Sequence, residues 1–358
     1  MCFICVNQGN LIMHEEVLAS VMANARVVPQ LAIWGWQIAI YLFLGGFTGG
    51  IMVFSGWALI TGRDEQTPFA VNRAPLVGFI ALSAGMTALF SDLERPLHVW
   101  RFYSILHVTS PMSWGAWILL LVFPAIIVLT LAGLPLGFPA LTRWLLNLPV
   151  VGKPLVQPVF KLCFFLRRPA AALSIGLGIA LCIYTGILLS SFNSRPFWHS
   201  ALLGPLFLVS GLSTGAAMMI LGAGTAHERH LFGRIDLGLI LAELTLLGLL
   251  LIDMLNGNEM QQGAVAYLLG GDGTMLFWAG FVGFGLGLPL LLEAAMWRRS
   301  FMVVASFASV LVLVGGFLLR DIVVTAGQQT SWTQLHNQFN PDLISNLRND
   351  GEDSSSRF

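Results

Sequence analysis

Eight runs of mostly apolar residues, each near the ~20 that cross a bilayer as a helix, restrict what this chain can fold into. They fall at about 34–60, 73–91, 112–132, 169–191, 200–222, 235–256, 274–293 and 300–319. Inside hydrocarbon a segment must satisfy its own backbone hydrogen bonds, so each run reads as a helix and not a strand. Only 10% of the 358 residues are charged, against about 25% in soluble domains. The net charge of zero gives no footing for nucleic acid. The expected fold is an all-α polytopic membrane protein.

The runs also divide the chain. Residues 1–30 are polar and mixed, an expected interfacial segment. They lack the basic start and apolar core of a signal peptide, so the first run is expected to stay in the membrane. Residues 31–132 hold helices one to three, 133–168 form a basic connection, and 169–191 complete a first four-helix bundle. Residues 197–325 hold a second bundle, and 326–358 are a polar tail. The segment 133–168 reads either as an interfacial stretch near anionic lipid or as an ordinary basic loop. Gly45-Gly46-Phe47-Thr48-Gly49-Gly50-Ile51-Met52 in the first span is echoed at constant offset by Gly211-Leu212-Ser213-Thr214-Gly215-Ala216-Ala217-Met218 in the fifth. Two four-helix bundles related by a weak parallel repeat fit this echo, with the small residues allowing close backbone approach.

Eight spans place both termini on one side. Setting aside Arg348 and Arg357 in the remote tail, that side carries five basic residues: Arg26, Arg95, Arg101, Arg195 and Arg320. The other carries eleven: Arg63, Arg73, Arg143, Lys153, Lys161, Arg167, Arg168, Arg229, Arg234, Arg298 and Arg299. The positive-inside rule then puts the termini outward.

A haem within the membrane needs paired histidines inside facing helices. His14, His98, His107, His199, His227, His230 and His336 all lie in loops or at the ends of runs, which excludes a di-haem cytochrome b. Cys2 and Cys5 form a lone C-x-x-C pair that cannot hold a cluster, so no metal site is read.

Ionisable residues within spans invite a functional reading because burying them is costly. Glu243 lies nine residues past Arg234, about 13 Å along a helix. With Asp253 and Glu293 it forms a candidate proton pathway; the alternative for Glu243 is a hydrogen bond to a neighbouring helix. A second polar group gathers on the outward side. Trp34, Trp36, Gln37 and Tyr41 open the first span, Asp92, Glu94, Arg95 and His98 end the second, Ser113 and Trp114 open the third, and Tyr184 lies near the outward end of the fourth. An aromatic slot, donors for two oxygens and a nearby acid are what a quinone ring requires. An aromatic belt with helix caps has the same composition.

Several of these motifs together resemble the NrfD/PsrC family, the haem-free membrane subunits of polysulfide reductases and related complexes. They are Trp36…Gly45-Gly46-x-x-Gly49-Gly50, Asp92-Leu93-x-Arg95-Pro96, Ser110-Pro111-Met112-Ser113-Trp114-Gly115 and Tyr184-Thr185-Gly186-Ile187-Leu188-Leu189. Arg195-Pro196-x-Trp198, residues 210–215 and Leu319-Arg320-Asp321 also fit, so the resemblance runs from about 34 to 328. It implies a subunit of the bacterial inner membrane with both termini periplasmic. It further implies a quinone or quinol (menaquinone or ubiquinone) held in the first bundle near the periplasmic face. The implied partner is a periplasmic iron–sulfur subunit with 4Fe–4S ferredoxin-like clusters, joined to a molybdopterin or multihaem subunit. By motif Tyr184 is similar to the family's site tyrosine. Gln37 and Tyr41 occupy the face where some relatives have an amide and a histidine. A phenol titrates near 10 and a histidine near 6.5, so with Tyr41 in place the proton acceptor shifts to Asp92, Glu94 or His98. Arg95 then orients the carboxylates or anchors the cluster subunit. Energy coupling through Glu243, Asp253 and Glu293 is a further implication. The rival classes are a secondary transporter of two repeats and a purely structural anchor. Against the transporter, no run is plainly broken at its centre and the repeat is parallel.

Overall fold

The computed structural model describes residues 34–93, 110–147, 154, 156–192, 195, 197–257, 259–296 and 301–329. The compact unit is 34–327. Eight of its helices are long and apolar enough to cross a membrane: α1 (Trp36–Ile60), α3 (Ala74–Asp92), α4 (Pro111–Gly137), α6 (Gln157–Ser190), α7 (Leu203–Gly222), α8 (Ala226–Leu255), α10 (Leu276–Ala295) and α11 (Met302–Gln329). Three shorter helices, α2 (Pro68–Asn72), α5 (Pro139–Leu146) and α9 (Glu259–Leu269), lie between them. No strand occurs among the described residues, so the all-α polytopic expectation holds. Successive long helices alternate in direction. The first face is the one where α1 begins; the second is the opposite one.

Local chemistry sets several helix ends. Pro75 and Pro111 sit in the first turns of α3 and α4, where a missing N–H costs nothing. Gly62, with φ +67°, turns the chain away after α1. Thr225 caps α8 by accepting from the Glu228 amide at 3.1 Å. Glu228 occupies the glutamate position of a capping box, yet its Oε1 accepts from Ala70 N at 3.0 Å instead. That buried bond ties α8 to α2 at the second face.

α1 is the central helix: 78% of its most apolar stretch is buried, against 28% for α8. Its glycines explain how other backbones come so near. A Cβ on Gly50 would strike the Gly211 carbonyl oxygen, and one on Gly49 would strike Cys182 Sγ. The two echoed glycine motifs therefore mark the crossing of α1 with α7, while Ser174 and Cys182 of α6 hydrogen-bond to Met52 O and Gly46 O of α1. At the first face Trp34 stacks on Trp198, with centroids 5.0 Å apart, and Trp198 Nε1 donates to Val323 O at 2.8 Å.

Three features differ from the hydropathy reading. α6 begins at Gln157, not at 169, and carries Pro169 inside it. Its first turns bear Lys161, Arg167 and Arg168, whose charge hides a helix from an apolarity scan. Over Leu276–Gly287 α10 is wound as a π-helix, whereas the sequence reads as an unbroken span. α11 continues ten residues beyond 319, so Arg320, counted above among flanking basic residues, lies inside the protein with no exposed surface. Removing it leaves four basic residues against eleven, and the charge asymmetry grows.

Candidate functional site

Two polar systems stand out from the apolar interior. The first lies at the first-face ends of α1, α3, α4 and α6. Tyr184 is 6% exposed, and its phenol occupies the space that a side chain at Gly115 would need. This contact brings α6 to the opening turns of α4, where Ser113 is buried and Trp114 is 40% exposed. Tyr41 is also buried, but it packs in the cluster containing Leu189, Phe197, Trp198 and Leu203. The two phenols therefore have different neighbours. Gln37 is half-buried and turns its side-chain oxygen back over Gly35. Trp36 is largely exposed, and Asp92 is half-buried at the end of α3. Glu94, Arg95 and His98 lie outside the described residues. Burial pulls the guanidinium of Arg195, between α6 and α7, below its ordinary range.

The second system runs between the antiparallel helices α7 and α8. Ser213 Oγ donates to Asp236 Oδ1 at 2.6 Å. Toward the first face Ser210 pairs with Glu243, and nearer that face Ser200 Oγ donates to Asp253 Oδ2 at 3.1 Å. These are three serine–carboxylate rungs, with serine numbers falling as carboxylate numbers rise. Asp236, Glu243 and Glu293 are buried, whereas Asp253 is exposed. Glu293 of α10 lies beside Asp236 and lines a small cleft at the second face with Arg229, His230 and Arg234. At the middle rung Arg320 Nη1 donates to Ser210 Oγ at 2.8 Å and to Gly316 O at 2.6 Å. Its guanidinium sits 5.2 Å from the Phe207 ring centre and 6.0 Å from that of Phe43.

The sequence reading gathered Glu243, Asp253 and Glu293 but missed Asp236, Arg320 and the serines. Asp236 had a signal: it precedes Glu243 by seven residues, two turns on one helix face. Arg320 was marked only as part of the Leu319-Arg320-Asp321 motif, and at the edge of an apolar run it read as a flanking charge and not a buried one. Among the described residues no cluster of three metal-ligating side chains occurs.

The sequence of this protein matches the family described as "Polysulphide reductase, NrfD" over residues 26–331. It is 30% identical over 319 residues to the C component of polysulfide reductase from Wolinella succinogenes, covering 83% of this protein and 94% of that one. It is 32% identical over 313 residues to protein NrfD of Escherichia coli, covering 83% and 96%. The C component of selenate reductase from Mesobacillus selenatarsenatis is 25% identical over 311 residues, covering 78% and 71%.

Proposed function

The chain belongs to the polysulphide reductase NrfD family, and we propose that it is the quinone-linked membrane subunit of a bacterial respiratory oxidoreductase complex. Relatives named as components of polysulfide reductase and of selenate reductase support a place in such a complex. The observation that carries the quinone reading is the buried pair Ser113 and Tyr184 at one membrane face, with Tyr184 fitted against Gly115.

These residues suit the chemistry. A quinone presents two carbonyl acceptors and a quinol two hydroxyls, while Ser and Tyr hydroxyls both donate and accept. The same two side chains therefore hold either redox form. Trp114 and Trp36 offer flat rings on the exposed side; Gln37 stands in the opening turn of α1 at the same face, while Tyr41 packs apart from the site with Leu189, Phe197, Trp198 and Leu203. A bound quinol supplies two electrons and two protons. Tyr184 and Ser113 orient its ring, and Gly115 fixes the phenol by leaving it room. Asp92 passes protons to water at the first face; Glu94, Arg95 and His98, which follow it in the sequence, are assigned to the same relay, with Arg95 serving the carboxylates or the docked subunit. The first face is the periplasmic one, where an iron–sulfur subunit with 4Fe–4S clusters docks and leads to a molybdopterin or multihaem subunit.

The test is quinol-dependent turnover of the complex in native membranes, together with extraction of co-purified quinone. Tyr184→Phe and Ser113→Ala should each lower turnover about tenfold with subunit composition intact. Unchanged turnover in both overturns the site. A complex that carries no quinone at all favours the structural anchor.

A further inference from the structure

The second-face cleft is bounded by α8, the end of α10 and the start of α11. Arg229, His230 and Arg234 line it from the opening turns of α8, and His230 and Arg234, four apart, share a helix face. Glu293 lines it from the last turn of α10. These helix ends set the cleft at the depth where lipid headgroups meet the bilayer core. Glu293 is 7% exposed, and neither of its oxygens accepts a hydrogen bond. The Asp236 carboxyl lies beside it, with Oδ2 also lacking a donor. Three buried carboxyl oxygens without a donor require one from outside, and a positively charged one suits two acids best.

The basic residues of α8 do not supply that donor, since no nitrogen of Arg229, His230 or Arg234 donates to Glu293. The cleft encloses about 30 Å³, room for one group the size of a water molecule. A primary ammonium has that size and carries three donors; a trimethylated one is larger and carries none. Toward the outside, Arg229 and His230 are half-buried and Arg234 is exposed, and guanidinium groups suit a phosphate. Arg229 Nη2 donates to Ala223 O at 3.2 Å, which fixes that guanidinium. Leu291, Met302 and Val303, near the same ends of α10 and α11, are exposed and give acyl chains an apolar wall. Cations outside and a donorless carboxyl group within complement a lipid whose phosphate precedes a terminal ammonium.

We propose that this cleft is a binding site for one molecule of phosphatidylethanolamine. Its ammonium enters the cleft and donates to both oxygens of Glu293. Its phosphate stays at the mouth between Arg229 and Arg234, with His230 beside it. The bound lipid ties the start of α8 to the end of α10. Neither quinone nor a redox partner takes part in it.

The experiment is native mass spectrometry of the complete purified complex, exchanged into detergent containing three phospholipids of identical acyl chains at equal concentration. Phosphatidylethanolamine offers phosphate and ammonium donors, phosphatidylcholine the phosphate with a charge but no donor, and phosphatidylglycerol the phosphate with no amine. The wild-type complex should retain one phosphatidylethanolamine about tenfold more than either competitor. Glu293→Gln should retain the three alike. Arg234→Gln should lower retention of all three about tenfold and keep the preference. Equal retention of phosphatidylethanolamine and phosphatidylcholine by the wild type overturns the site, and means that water or a shared proton serves Glu293. A preference for phosphatidylglycerol also overturns it, as does a preference unchanged in Glu293→Gln. If Glu293→Gln does not assemble, Arg234→Gln, altered at an exposed position, must still lower the retained phosphatidylethanolamine; unchanged retention overturns the proposal.

Discussion

The hydroxyl of Tyr184 occupies the position that the first carbon of any side chain at residue 115 would take. The glycine is thus a positioning element for a tyrosine 69 residues further along the chain.

Gly115→Ala should displace that phenol at an overpacking cost of about 1–3 kcal/mol. Quinol turnover in native membranes is expected to fall as it does for Tyr184→Phe. The double variant should be no slower than Gly115→Ala alone, because both act on one hydroxyl. Additive losses would show that the glycine acts elsewhere.

The crossing of α1 and α7 can be tested through a pair of glycines. A Cβ on Gly50 would meet the Gly211 carbonyl oxygen, whereas one on Gly238 meets nothing within 4 Å. Gly50→Ala should lower the thermal stability of the detergent-solubilised protein by about 1–3 kcal/mol. Gly238→Ala, in the interior of α8, should leave it equal or raise it by up to about 1 kcal/mol.

Glu228→Ala removes the acceptor for Ala70 N and should cost about 1–3 kcal/mol, the usual penalty for an orphaned buried donor. Glu228→Gln, whose amide oxygen accepts in the same place, should recover most of that loss in the same melting assay. Equal melting of the two variants would remove the bond from the account of this junction.

Orientation is open to labelling with a membrane-impermeant thiol reagent. Ser91 and Glu65 are exposed and lie at the first and second faces. In intact spheroplasts Ser91→Cys should react and Glu65→Cys should not, as the excess of basic residues on the second face requires. The reverse pattern would invert the protein and move the quinone site to the cytoplasmic side.

The eight spans were legible because length and apolarity are what a bilayer demands, and five basic residues against eleven was enough to suggest an orientation. Charge misled in two places. Lys161, Arg167 and Arg168 concealed the first turns of α6, where Arg167 lies over the Phe164 ring and 3.8 Å from Asp64. Arg320 read as the end of a span because hydropathy records polarity and not enclosure, while Phe43, Phe207 and Ser210 enclose it. The π winding of α10 leaves no mark in apolar content. Within the candidate site, motif resemblance singled out Tyr184. The role of Gly115 needed the neighbouring helix to be in place, since a residue with no side chain announces nothing about what fills its space.

The glycine crossing also bears on how the protein is made. α1 and α7 begin at residues 36 and 203, and domains emerge from the ribosome N-terminal end first. When residue 190 leaves the translocon, the first four helices are in the bilayer, but the Gly50 surface of α1 still lacks Gly211 and Gly215. The helix that becomes most enclosed must wait, with Gly46 and Gly50 still open, until α7 has followed it into the membrane.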